Sequence, residues 1–136
     1  MEKVSRFKLV AVLKYADRKW FSIASNQTSI GLNPDMGYTD QQGVWKRTGN
    51  REITAKVLNF GFSPADGSHV GNSVAHYKVT FSRDFNSLTG QYDGRVYPGD
   101  QNPLDPEKPD DYIHFEGTIE GTRVGVDQYE TCWSSQ

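Results

Sequence analysis

Three side chains in the C-terminal half have types and spacing that could do chemistry: His76, His114 and Glu116. His114 and Glu116 are two residues apart, so on a β-strand they share a face. His76 lies inside a separate alternating stretch, NSVAHYKVTFSR, over 72–83. Two imidazoles and a carboxylate that meet inside a fold can move a proton or ligate a transition metal. In both stretches, though, the apolar residues hold the other parity. They are Ala75, Tyr77, Val79 and Phe81 in the first, and Ile113, Phe115 and Ile119 in the second. Apolar parity takes the enclosed side of a small barrel, so the trio is expected to face water and to hold no metal. His69 falls in a turn region. No cofactor is expected, because the chain has no P-loop, dinucleotide fingerprint, G-x-S-x-G or H-E-x-x-H. The single cysteine, Cys132, excludes an internal disulfide and any multi-cysteine metal site. The acids Asp105, Glu107, Asp110 and Asp111 lack the spacing and glycine of an EF-hand, and read as a solvated loop.

The elements that would position such groups are all strands. Residues 6–15 alternate, with Phe7, Leu9, Ala11, Leu13 and Tyr15 on one face. A helix using Val4, Phe7 and Ala11 is the competing reading. Ala16-Asp17-Arg18 reads as a turn into a second strand, Lys19–Ser25, with Phe21 and Ile23 on one face and Trp20, Ser22 and Ala24 on the other. Residues 26–42 read as one long loop around Pro34. Its Ile30, Leu32, Met36 and Tyr38 could serve as a lid over an opening, or simply cap the core.

Gly43 to Phe62 reads as a hairpin turning at Thr48-Gly49-Asn50, where glycine and asparagine would supply positive φ. Within its second strand the parity changes from Ile53, Ala55 and Val57 to Leu58, Phe60 and Phe62. A bulge near Val57-Leu58, or burial of both faces at one end, would account for this. Ser63–Gly67 is a turn. Leu88–Tyr97 is a strand interrupted by Gly90 and Gly94. The stretch 98–111 holds four of the six prolines and is an exposed loop. Tyr112–Val124 is the last long strand, and 125–136 is a tail with room for a short element at Tyr129–Trp133. The sum is a single domain over 1–136. It is all-β: an antiparallel up-and-down β-barrel of about seven to eight strands.

Composition narrows the function. The chain has 136 residues, a net charge of −2, and seven Phe, seven Tyr and three Trp. Aromatics supply core area despite a low hydrophobic content. The near-neutral charge and the lack of a long basic run make nucleic acid and anionic membrane unexpected partners. The apolar run Leu9–Leu13 is too short for a signal-peptide core, and no stretch is long enough to span a bilayer. A soluble, cytoplasmic protein is expected, although an exported chain without its signal would read the same.

Several short motifs, taken in order, carry a resemblance: Gly43-Val44-Trp45-Lys46-Arg47-Thr48-Gly49, Phe60-Gly61-Phe62, Asp66-Gly67, Ser87-Leu88-Thr89-Gly90 and Glu120-Gly121-Thr122-Arg123. Together they resemble a family of small lipocalin-like (calycin-like) β-barrel proteins, over residues 9–124. The earlier G-x-W strand usual in that family has no counterpart before Phe7, which would leave an open sheet edge through which a homo-oligomer could form. The resemblance implies an interior that takes a small, largely hydrophobic molecule, with Trp45, Arg47, Phe60, Tyr77 and Phe115 as ligand-binding candidates. It also implies that Trp45 packs across the barrel floor under a stacked arginine, Arg47 or Arg123. A barrel enzyme of the same architecture is the alternative, a cyclase or isomerase similar in shape to the allene oxide cyclase-like group. Tyr92, His76 and His114 would then be the groups to test. A self-associating interaction module is the third reading. The resemblance brings no catalytic residues with it.

Overall fold

The computed structural model describes residues 9–24, 27, 37–105 and 111–124. It is all-β. The strands are β1 (Leu9–Lys14), β2 (Lys19–Ala24), β3 (Gly37–Tyr38), β4 (Gln41–Gly49), β5 (Glu52–Phe62), β6 (His69–Phe81), β7 (Ser87–Pro98) and β8 (Ile113–Thr122). Every pairing is antiparallel, and the sheet runs β1-β2-β4-β5-β6-β7-β8, with the two-residue β3 paired to β5. The seven long strands form a curled, barrel-like half-barrel. Among the described residues no ladder joins β1 to β8, and each of these end strands is paired along one edge.

Alternation decides which face is enclosed. Trp20, Trp45, Ile53, Ala55, Val57, Ala75, Tyr77 and Val79 form the core, with Leu9, Ala11, Leu13, Phe81, Leu88, Tyr92, Phe115 and Ile119 packed against it. These are the apolar parities expected for β1, β6 and β8. The curl brings distant strands together, for Trp20 of β2 stacks on Tyr77 of β6 with ring centroids 5.0 Å apart. Two of the glycines in β7 and β8 make room for aromatics. A methyl group built at Gly94 would overlap the Phe115 ring, and one at Gly117 would meet the Tyr92 hydroxyl. Each aromatic lies over the glycine directly opposite it, Phe115 over Gly94 and Tyr92 over Gly117.

Four sequence expectations change. The hairpin between β4 and β5 turns at Asn50-Arg51, with Gly49 still paired to Glu52, and neither Gly49 nor Asn50 takes positive φ. A register shift between Arg47 and Gly49 lets the chain turn instead. The Arg47 guanidinium then donates to the Gly49 and Asn50 carbonyls at 2.9 and 2.8 Å. No bulge lies at Val57-Leu58, where pairing to β4 and β6 is continuous; the shift in β5 is at Gly61/Phe62. The parity change marks partial cover of the outer face, where Leu58 is half-buried and Phe60 exposed. Val74 and Tyr97 are buried on the outer side of this end, where residues 100–104 lean over Leu58 and Phe60. The stretch 26–42 is not one loop, because 37–38 form β3 and Gln41 opens β4. Finally, β6 begins at His69, three residues before the expected start. Phe7, Ile30, Leu32, Met36, Glu107, Asp110, Cys132 and the element at 129–133 lie outside the described residues.

Candidate functional site

The core face of the curled sheet carries an aromatic row across four strands. Trp20 stacks on Tyr77, Tyr77 meets Tyr92 at 5.8 Å, and Tyr92 meets Phe115 at 6.2 Å. The row grades from buried to open: Trp20 and Tyr77 are 2% exposed, whereas Tyr92 and Phe115 are half-buried. Register explains the placement, since Tyr77 is paired with Tyr92 and Gly94 with Phe115. Directly opposed residues on one face of a sheet are neighbours.

A polar network fixes the closed end of this row. The Trp20 indole Nε1 donates to Ser22 Oγ at 2.9 Å, and Ser22 Oγ donates to Gln41 Oε1 at 2.9 Å. The Tyr77 hydroxyl donates to the same Gln41 oxygen at 3.0 Å. All four residues are buried, so each bond is made where water cannot substitute for it. Burial pushes the Tyr77 phenol up to about 12. Burial also raises Tyr38, with further contributions from Tyr77 and then Tyr92, and it raises Tyr92. All three phenols remain protonated across neutral pH, and the Tyr77 proton is already committed to Gln41.

The sheet floor is closed at β2 and β4. Trp45 donates its indole N–H to the Lys19 carbonyl at 3.1 Å. Arg18, in the tight turn after β1 at φ 57°, lays its guanidinium 4.8 Å over Trp45 and 5.0 Å over Tyr15. The expected arginine–tryptophan stack is present, but its arginine is Arg18, because Arg47 is spent on the hairpin turn. Of the other ligand-binding candidates, Phe60 is 62% exposed on the opposite face and packs edge-on to His69 at 6.0 Å.

His76, His114 and Glu116 lie on that opposite face and are exposed, as alternation indicated. They are not scattered. Asp93 of β7 pairs directly with His76 on one side and with Glu116 on the other. His114 Nε2 lies 3.3 Å from Asp93 Oδ2. Donor atoms of Asp93, His114 and Glu116 all fall within 4.8 Å of one another. Near β5 and β6 the outer face also has an open groove of about 280 Å³ between Leu58, Phe60, Asn72 and Leu104. That is small beside the usual ligand site of about 300–1,000 Å³.

Sequence reasoning named Tyr77, Tyr92 and Phe115 as candidates and Tyr38 as part of a lid, but did not single out Gln41 or Asp93. The only signal for Asp93 was its phase with Arg95, two residues on. Gln41 lay in a stretch read as loop and gave none. Comparison with family models, with curated proteins and with solved structures yields no match.

Proposed function

We propose that this chain binds a small, largely apolar molecule against the aromatic core face of its curled sheet. The aromatic row from Trp20 through Tyr77 and Tyr92 to Phe115, buried at one end and half-buried at the other, carries the reading. Apolar sites bury flat ligands against aromatic walls, and a row of rings that is half-buried at Tyr92 and Phe115 suits a flat ligand. The half-buried end of the row, Tyr92 and Phe115, is where such a ligand would stack. The lipocalin-like reading rests on the same feature together with the meander topology and the arginine-stacked tryptophan. A catalytic role is weaker: among the described residues of β6, β7 and β8 the core face offers phenols but no carboxylate, and Tyr92 is the half-buried one among them.

The test is native mass spectrometry of the purified chain, followed by titration with 1-anilinonaphthalene-8-sulfonate. Tyr92→Ala and Phe115→Ala should weaken probe binding, whereas Phe60→Ala on the outer face should not. Binding lost with Phe60→Ala but retained in the other two variants would overturn the proposal.

A second reading, self-association through the β1 end of the sheet, is favoured by one observation. On the outer face of β1 and β2, Val10 is paired with Ile23 and Val12 with Phe21. All four are exposed, Val10 and Val12 by 59% and 57%. A contiguous apolar patch on an end strand and its neighbour is the usual marker of an interface. Sedimentation equilibrium of wild type and Val12→Lys decides it: a dimer that dissociates in the variant supports this reading, and a concentration-independent monomer excludes it.

A further inference from the structure

The face opposite the aromatic row carries a group that neither reading above uses. We propose that Asp93, His114 and Glu116 form a binding site for a first-row divalent transition ion such as Zn²⁺, placed across β7 and β8.

The argument begins with the backbone. β7 and β8 are paired without interruption from Ser87↔Thr122 to Val96↔Ile113, which fixes the three Cα positions. Asp93 and Glu116 are direct partners, and His114 is two residues from Glu116 on the same face. The donor atoms follow from this placement. His114 Nε2 and Asp93 Oδ2 are 3.3 Å apart, and Glu116 completes a group within 4.8 Å. Zinc bonds to imidazole nitrogen and carboxylate oxygen of about 2.0–2.2 Å imply a tetrahedral edge of about 3.3 Å. The first pair therefore already has the required separation. The Glu116 carboxylate reaches it through side-chain torsions alone, since all three residues are exposed.

The donor set selects the ion. One imidazole with two carboxylates suits zinc and its neighbours, whereas magnesium and calcium favour all-oxygen shells. Two carboxylates balance the charge of any divalent ion, so the imidazole is what favours zinc. The neighbouring cation, Arg95 opposite His114, stacks its guanidinium 4.6 Å over Tyr112 and also feels the Asp93 charge. Solvent access leaves the remaining coordination positions to water or to a small anion.

The experiment is isothermal titration of the full, tag-free chain with zinc chloride and, separately, magnesium chloride in a non-coordinating buffer. One zinc per chain is expected, with no heat from magnesium. Outer-shell groups alone are worth about 10–100-fold in metal affinity, so losing a direct ligand must cost at least about tenfold. His114→Ala, Asp93→Asn and Glu116→Gln should each show that loss. His69→Ala and Cys132→Ser, which change zinc-binding residue types elsewhere, should not. Because the three substituted side chains are exposed, circular dichroism should confirm an unchanged fold in each. Zinc binding that survives His114→Ala and Glu116→Gln, or no binding at millimolar zinc, would overturn the proposal.

Discussion

Replacing Gln41 with leucine tests the internal network directly. The Gln41 side-chain oxygen accepts from both Ser22 and Tyr77, at 2.9 and 3.0 Å, in a buried setting. Leucine has similar bulk, so little cavity forms, but two buried donors lose their acceptor. An orphaned buried donor costs about 1–3 kcal/mol. Two give a range of about 2–6 kcal/mol, and the lower half applies because a hydroxyl can rotate toward another acceptor. We expect Gln41→Leu to lose about 2–4 kcal/mol. Tyr77→Phe removes one donor and leaves Gln41 bonded to Ser22, so its loss should be only about 1 kcal/mol. The double variant should lose less than the sum, since in it Tyr77 no longer has a proton to orphan. Urea unfolding followed by tryptophan emission measures all three, with an unchanged slope as the sign that only stability has moved. A Gln41→Leu variant within about 0.5 kcal/mol of wild type would refute the network, because that is the ordinary range of an uninvolved site.

Alkaline pH should unfold the chain early. The Tyr77 phenol ionises at about 12 in the fold and near 10 when unfolded. Its contribution is therefore complete below pH 10 and is lost as pH rises from there toward 12, up to roughly 2–3 kcal/mol. A tyrosinate absorbance titration should show that step, and Tyr77→Phe should flatten the stability curve above pH 10. Arg18→Ala removes the guanidinium from both Trp45 and Tyr15 and should cost about 0.5–2 kcal/mol, with a shift in tryptophan emission that Arg47→Ala does not produce. Gly94→Ala forces the Phe115 ring off its seat and should cost about 1–3 kcal/mol by overpacking, measured by thermal unfolding.

Period-two alternation made the strand faces readable, because it follows from the pleat and needs no partner. The inward sets of β1, β6 and β8 came directly from it. It failed where the other face was also covered. Leu58 and Phe60 looked like a continuation of the core, but they line an outer groove beside residues 100–104, with Leu58 half-buried and Phe60 exposed. A loop folding back leaves no trace in the strand it covers. Turn chemistry misled for a related reason. Gly49-Asn50 matches a positive-φ turn by composition, yet the turn is made by a register shift and the Arg47 side chain. Positive φ falls on Gly67 and Gly99, and also on Arg18 and Phe85, whose types do not announce it.

The site was legible in the same measure. Tyr77, Tyr92 and Phe115 share a face that alternation identifies, but their grading from buried to open depends on how far the sheet curls. The stack of Trp20 on Tyr77 spans three inter-strand steps, about 14 Å in a flat sheet at the usual 4.7–4.9 Å spacing. A centroid separation of 5.0 Å therefore measures the curl, and no local pattern encodes it. The outer trio shows the converse. Its orientation to water follows from alternation. Exposure rules out a buried acid–base cluster but not a surface site. What matters for the surface site is register, and the pairing Asp93↔Glu116 supplies a carboxylate in place of the more distant His76. The two faces of the sheet thus make separable claims. Loss of zinc binding on the outer face leaves the aromatic row untouched, and a failed ligand titration on the inner face leaves the metal geometry standing.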